Sequence, residues 1–423
     1  PSDQLLLRAF FCYTKPMEPR EIRVRFPPSP TGFLHIGNIR TFVFNWLFAQ
    51  QNKGAVVLRI EDTDTARSEK RFEDSIIEDL QWLGLTWDEF YRQSERTEIY
   101  KKYLQQLLDT GKAYFDEQAI RLKVGDDPSK KVIFDDVIRG TIEFSARLEK
   151  DFVIAKNLDT PLFHLAVVVD DYEMRITHVI RGEDHIANTA KHILLQEALG
   201  FTTPIYAHLP LILGADKSKL SKRNGAVALD EYKVQGYLAD AIFNYLAILG
   251  FTAHSEIMNR EELIKIFDLT KIHSSGAVFD IRKLEWINGE YLKKSSDKEL
   301  LNFIGEKYEK ILPMVRERIK KLSDLEEFNF FFESPTVDPE LLKWKKATLE
   351  QSKAMLAKVK EMIKQNGLDN LRAKLDELGA GDRGLVYWPF RVALSGRKAS
   401  PDPIDIANVL GKEEVLKRIH AAL

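Results

Sequence analysis

Three side chains stand out for the chemistry they could do: His35 in RFPPSPTGFLHIGN, and Lys219 and Lys222 in KSKLSKRNG, far apart along the chain. The histidine follows a strand-like segment and a Pro-Ser-Pro-Thr-Gly turn, and it precedes a helical pattern. Gly37 permits close approach of backbone to a ligand, and the first amides of a helix face anionic oxygen. A neutral imidazole there can donate a hydrogen bond to a phosphate oxygen as the α-phosphorus becomes crowded. Lys219 and Lys222 flank Leu220 and Ser221, Arg223 adds a third cation, and Asn224 with Gly225 closes the segment as a turn. Taken singly, His35 reads as an ordinary turn histidine and the lysines as solvated loop charges. Taken together they supply what a nucleoside triphosphate needs: helix amides, backbone approach, and mobile ammonium groups that follow charge developing on a leaving group.

These groups need a scaffold, and the chain alternates strand and helix in the way that provides one. Ile22, Val24 and Phe26 alternate with charged residues as in a half-buried strand, which the prolines at 27, 28 and 30 end. Ile39, Phe42, Val43, Trp46 and Leu47 recur at helical spacing, with Asn38 suited to cap the first turn. Ala55 to Ile60 is a nearly continuous apolar run, as in a parallel strand covered on both faces. Ile76, Ile77, Leu80 and Leu83 mark another amphipathic helix. This order is the first half of a Rossmann-type, doubly wound α/β sheet, whose ligands sit at the carboxyl ends of the strands. Both the His-Ile-Gly turn and the acidic cluster Glu61, Asp62 and Asp64 fall at such ends.

After Gly111 the pattern breaks into short charged segments, with FDDVIRGTIEF reading as a strand pair around a turn, so residues 112–160 read as an α/β insertion. Two β-rich runs follow, Leu165 to Val169 and Ile176 to Ile180, the second ending at Arg181, Glu183, Asp184 and His185. A helix over 189–199 and a strand over 208–213 lead into the lysine loop. From 229 onward the chain reads mainly helical. Leu349, Met355, Leu356, Val359, Met362 and Ile363 form an apolar stripe against a lysine-rich face.

Composition excludes several classes. With 44% hydrophobic and 30% charged residues in 423, the chain can build more than one core. A net charge of -2 confines any nucleic-acid surface to local basic patches. The single cysteine, Cys12, excludes internal disulfides and multi-cysteine zinc sites and fits a cytoplasmic location. No apolar run is long enough to span a membrane. Met17 reads as a native start, which makes residues 1–19 a leader or tag-like tail.

The two opening segments resemble the HIGH-type and KMSKS-type signatures of class I aminoacyl-tRNA synthetases. RIEDTD, VIRGEDH, HLPLIL, AVFDIRKLEWINGEY and the C-terminal VYWPFRVALSGRKASPDPIDIANVLGKEEVL are similar to the glutamyl-tRNA synthetase family in its bacterial form. The resemblance runs from about Arg23 to the C-terminus. It implies ATP-dependent activation of L-glutamate to glutamyl-adenylate, then transfer to the 3′ end of tRNA(Glu), with ATP and Mg²⁺; some members also bind a structural zinc in the insertion, for which no ligands are visible in this sequence. His35, Lys219 and Lys222 would be catalytic, and Thr31, His35, Gly37, Asn38, Lys219, Ser221 and Lys222 would hold ATP. Arg25 and Arg181 would hold the side-chain carboxylate, and Glu61 and Ser29 the amino end, with Phe163, Asp184 and His185 lining the glutamate pocket. An arginine fork suits a carboxylate because it can bind both oxygens. Lys307, Arg316, Arg318, Lys320 and Lys321 would face the anticodon arm.

The implied division is a catalytic domain in two halves, 20–111 and 161–228, around a 112–160 acceptor-stem insertion. A stem-contact region, 229–298, and a helical anticodon-binding domain, 299–423, follow. The protein would act as a monomer away from membranes. Two departures stand out. The family commonly has tyrosine where this chain has Phe163, which removes a hydroxyl donor worth roughly 1.5 to 3 kcal/mol when the bond is buried and charge-assisted; some members also have asparagine in place of Val167. The stretch after Phe115 is short and lacks cysteine, so it is either a compact variant or a chain with loops left out, and the second reading is preferred. A form that also charges tRNA(Gln) and a tRNA-binding paralogue without catalysis are the alternatives. The paralogue would be expected to lose His35 or the lysine pair, and both are present.

Overall fold

The protein is described from a computed structural model, which covers residues 21–64, 66–125, 131–145, 150–220 and 228–423. The chain folds as two compact units, 21–234 with 239–284, and 235–238 with 285–423.

The first unit is built on a parallel sheet. Strands β1 (Arg23–Phe26), β2 (Ala55–Ile60) and β3 (Glu89–Arg92) pair in that order, with Val24 opposite Val56 and Leu58 opposite Phe90. Helix α1 (Ile36–Gln51) connects β1 to β2, and α2 (Lys70–Trp82) connects β2 to β3. On the other side of β1 runs β10 (His178–Gly182), joined through the Thr177 N–H to Arg23 O at 2.9 Å, and then β11 (Ile205–Leu209). The parallel order β3-β2-β1-β10-β11 reverses its winding at β1, which places a ligand crevice at the carboxyl ends of β1 and β10. All six residues of β2 are buried, as its continuous apolar run predicts. β1 differs from expectation: Arg25, between Val24 and Phe26, is also buried, because this strand is central and covered on both faces.

Between the halves come α3 (Thr97–Asp109) and five strands: β4 (Ala113–Asp116), β5 (Ala119–Leu122), β6 (Lys131–Asp136), β7 (Gly140–Ser145) and β8 (Phe152–Asn157), with a short β9 (Thr160–Pro161). β4 and β5 close directly through Glu117 and Gln118, with Glu117 at φ +56°. β6 and β7 form the strand pair read from FDDVIRGTIEF, and β6 also adds to the edge of β11 at Tyr206 opposite Asp136. The insertion is thereby bonded into the catalytic sheet.

One element is corrected. Leu165 to Val169, expected as a strand, lies inside α4 (Phe163–Glu173). All five residues are buried, and a helix covered on every side loses the polar face that would reveal its period. The place beside β1 belongs to β10 instead. The predicted helix over 189–199 is α5 (Ile186–Leu199), stopped by Gly200 at φ +72°. The strand expected over 208–213 is the end of β11 followed by β12 (Ile212–Leu213). The unit continues through α6 (Leu229–Gln235), α7 (Ala239–Ile248) and α8 (Arg260–Ile266).

In the second unit every described element is helical after residue 296. The longest of these with the lysine-rich face spans Leu349–Asn366, capped by Thr348 and Gln351 in a reciprocal capping box and burying Leu356, Val359 and Ile363. Helices Arg383–Ser395 and Pro403–Ala422 pack against it through Phe390, Val392, Ile406 and Ile419. No described helix is long and apolar enough to cross a membrane.

Candidate active site

The carboxyl ends of β1, β2 and β10 carry Arg25, Glu61 and Arg181, and α1 starts after β1 with His35. His35 is the N-cap of α1: its Nδ1 accepts the Gly37 N–H at 3.1 Å, and Asn38 Oδ1 accepts the His35 N–H at 3.4 Å. Asn38 therefore acts at the third helical position of a capping box, with His35 in the capping role that the sequence suggested for Asn38. With Nδ1 accepting, the neutral ring carries its proton on Nε2, the form that can donate to a phosphate. A side chain at Gly37 would meet the His35 ring atoms at 3.0 and 3.1 Å, so glycine here keeps the imidazole in place.

Ser29 and Thr31 are exposed in the turn after β1, where Thr31 N–H donates to Ser29 O at 2.9 Å. The Glu61 N–H donates to Pro28 O at 3.0 Å, which ties this turn to the end of β2.

The lysine loop leaves β12 through a tight turn over 214–218, and Leu220 N–H returns to Ile212 O at 2.9 Å. At its far end Ala228 forms an antiparallel bridge with His35. One described flank of the loop is thus anchored to β12 and the other beside the α1 N-terminus. Lys219 reaches Asp184 Oδ2 at 3.5 Å across an exposed surface. Ser221 and Lys222 lie outside the described residues.

Beneath the crevice lies a buried charge network. Asp171, at the end of α4, accepts from Arg25 Nε at 3.3 Å and from Arg59 Nη1 at 2.8 Å. Arg59 also donates to Glu61 at 3.0 Å. Burial lifts the Glu61 carboxyl above its ordinary range despite Arg59, whereas Asp171 is held below its range, burial being overcome by Arg25 and Arg59. Arg25 Nη1 is buried and has no partner among the described residues. Arg25 is therefore only partly neutralised, by a carboxylate it shares.

Arg181 is more unusual. It is 6% exposed, and burial lowers it to about 10. Its hydrogen bonds among the described residues all go to uncharged acceptors: His208 Nε2 at 3.2 Å, His192 Nδ1 at 3.4 Å, Thr189 Oγ1 at 2.6 Å and His185 O at 3.3 Å. Phe163 packs its ring against His164, His185 and His192 at 5.3, 6.2 and 5.8 Å. Four of the nine histidines in the chain gather here. Burial pulls His164 and His185 down to about 4, with Lys191 and Arg181 respectively adding to it, and holds His192 well below the ordinary value.

The structure thus brings Arg25, Glu61 and Arg181 together as a buried group, with Phe163 and His185 half-buried beside it and Lys219 paired to Asp184 at the surface. Sequence reasoning missed Asp171, Arg59, His192 and His208. The paired acids ending the VVVDD run could have signalled Asp171, but the histidines carry no periodic mark. A cavity of about 760 Å³ lined by Arg23, Glu89, Tyr172 and Thr177 lies at the amino ends of the strands. That is the wrong end of an open α/β sheet for the chemistry. Of the basic residues expected to face RNA, Arg316 is instead a clamp, bonded to Asp297 at 2.5 Å and to the carbonyls of Lys293 and Ser295, and Lys321 pairs with Glu285 and Asp324. Their charge is spent on holding the second unit together.

A parallel sheet with a histidine-capped helix, a lysine loop beside it and a cationic pocket behind defines a class. Residues 21–120 and 116–286 match the family model "tRNA synthetases class I (E and Q), catalytic domain", and 290–423 match "Anticodon binding domain". The chain is 40% identical over 452 aligned positions to glutamate–tRNA ligase 2 of Fervidobacterium nodosum, covering 96% of each. It is 39% identical over 472 positions to the glutamate–tRNA ligase of Aquifex aeolicus, covering 94% of this chain and 98% of that one. Among solved structures it is similar to a glutamate tRNA ligase of Elizabethkingia meningosepticum in complex with its amino acid, with TM-score 0.83, 32% identity, and coverage of 95% and 99%. The chain belongs to the class I aminoacyl-tRNA synthetases, which are ligases. Within that class it is a member of the glutamate–tRNA ligase family.

Proposed function

We propose that this enzyme activates L-glutamate with ATP and transfers it to the 3′ end of tRNA(Glu), with the residues above in the following roles. The single observation that carries the reading is Arg181: a buried guanidinium whose hydrogen bonds among the described residues all go to uncharged acceptors, beside a second arginine whose Nη1 has no partner among those residues. Asp171 and Glu61 act on Arg181 only at longer range, so a buried cation without a carboxylate among these hydrogen-bond partners calls for an anion, and the side-chain carboxylate of glutamate is one. Neutral glutamine would leave that charge unpaired.

The α-carboxylate of glutamate attacks the α-phosphorus of ATP, the bond to the bridging oxygen breaks, and pyrophosphate leaves. The sugar hydroxyl of the terminal adenosine then takes the acyl group and AMP departs. No protein nucleophile is needed, so catalysis is positioning plus charge stabilisation. His35 Nε2–H and the first amides of α1 receive phosphate oxygens, and Gly37, Asn38 and Thr31 shape that end. Lys222 and, secondarily, Lys219 neutralise charge on the departing pyrophosphate, with Ser221 beside them. Arg25 and Arg181 hold the side-chain carboxylate, Glu61 and Ser29 the ammonium, and Phe163, Asp184 and His185 close the pocket. Among the described residues no three His, Cys, Asp or Glu side chains gather as a metal cage. Mg²⁺ would enter bound to the ATP phosphates and screen their charge.

The test is exchange of labelled pyrophosphate into ATP with glutamate, with and without tRNA. Exchange that requires glutamate and rises with tRNA is expected. Folded protein inactive under both conditions would overturn the reading.

A further inference from the structure

The cage around Arg181 has a definite proton arrangement. An arginine only donates, so His192 Nδ1, 3.4 Å from Nη1, must accept. The His192 proton is then on Nε2, and it points at His164 Nδ1 at 3.2 Å. On the other side, His208 Nε2 accepts from Arg181 Nε, so the His208 proton is on Nδ1, 2.6 Å from Asp136 Oδ2. Asp136 belongs to β6 and also accepts the backbone N–H groups of Ile138, Arg139 and His208, which fixes it in place. One continuous chain, His164–His192–Arg181–His208–Asp136, therefore holds the guanidinium plane at both edges.

We propose that His192 and His208 are positioning residues of the amino-acid site: as neutral acceptors they orient Arg181 without neutralising it, leaving the substrate's side-chain carboxylate as its first anionic partner. His164 sets the tautomer of His192, and Asp136 that of His208. A carboxylate in place of either imidazole would satisfy Arg181 internally and fill its need for an anion. An apolar group would free the guanidinium to swing. The arrangement accounts for the burial of His192 and His208 and for the His164 ring beside them, none of which needs to touch ATP. It rests on the reading that Arg181 receives the glutamate side chain.

Steady-state exchange on the full-length enzyme, with glutamate and ATP varied separately in the presence of tRNA, distinguishes positioning from general support of the fold. His192→Leu is expected to raise KM for glutamate about tenfold, the scale of one lost charge-assisted hydrogen bond, with KM for ATP and kcat changed less than about twofold. His192→Gln retains an acceptor oxygen and is expected to restore most of the loss. His164→Phe should resemble His192→Leu in direction, and His164→Asn should resemble wild type, which keeps the comparison usable if His192→Leu does not fold. Equal rises in both KM values, equal effects of the leucine and glutamine variants, or an unchanged KM for glutamate would overturn the proposal. In each of those cases an active wild type leaves the glutamate reading standing. A wild type without glutamate-dependent exchange overturns both.

Discussion

Asp171 accepts a 2.8 Å hydrogen bond from Arg59, and both side chains are almost wholly buried. The pair underlies the crevice, because the same carboxylate oxygen also holds Arg25. Removing one partner of a buried pair strands the other charge, which typically costs about 3 to 5 kcal/mol. Asp171→Ala is therefore expected to lower unfolding free energy by that order in urea titration, whereas Asp171→Asn, which keeps an acceptor oxygen, should lose less. Equal stability of the alanine variant and wild type would contradict the assignment.

Gly37 offers a local test of the histidine cap. A methyl group there meets only the imidazole of His35, the movable end of a side chain, so Gly37→Ala should fold normally while displacing the ring. The expected result is a fall in kcat for pyrophosphate exchange of about tenfold or more, because the phosphate donor is misplaced in the transition state. Thermal stability should change little, as the backbone is not obstructed. A variant with full kcat would remove His35 from the catalytic step.

The histidine cluster fixes a pH dependence. His164 and His185 fall from 6.5 to about 4 in the folded protein, burial being the main cause. Between those values the unfolded chain binds more protons than the folded one, so stability is complete above about pH 6.5 and declines as pH falls toward 4. Each such histidine contributes a slope of up to about 1.4 kcal/mol per pH unit. Lys191, Arg181, Arg25 and Asp184 face these rings, as do His185 and His208. Urea midpoints measured from pH 7 to 5 should fall less steeply in His164→Gln than in wild type; parallel slopes would show that His164 titrates normally.

Much of this site was legible in the sequence because its parts are local. His35, Gly37 and Asn38 form one capping turn, and Arg25, Glu61 and Arg181 each sit at or next to a strand end, where open α/β sheets bind their ligands. What escaped was non-local. Asp171 reaches Arg25 across 146 residues, and His208 reaches Asp136 across 72, separations to which no periodicity is sensitive. The α4 segment misled for a related reason: Val167 to Val169 are buried on all sides, so the helix shows no polar stripe and imitates a parallel strand. The internal bonds of Arg316 to the carbonyls of Lys293 and Ser295 were likewise not visible in the sequence.

The lysine pair gives the sharpest kinetic contrast. Lys219 is held 3.5 Å from Asp184, which shares its charge, whereas the role assigned to Lys222 is to follow charge onto pyrophosphate as the bond breaks. An interaction made mainly in the transition state lowers kcat and kcat/KM together and leaves ground-state binding alone. Lys222→Ala should accordingly raise the barrier to adenylate formation by about 2 to 4 kcal/mol in single-turnover experiments, with tRNA affinity unchanged in filter binding. Lys219→Ala should lose less, since Asp184 already offsets part of its charge. Loss of tRNA affinity equal to the loss of rate in Lys222→Ala would recast that lysine as an RNA contact, and a larger effect at Lys219 would reverse the order of the two roles.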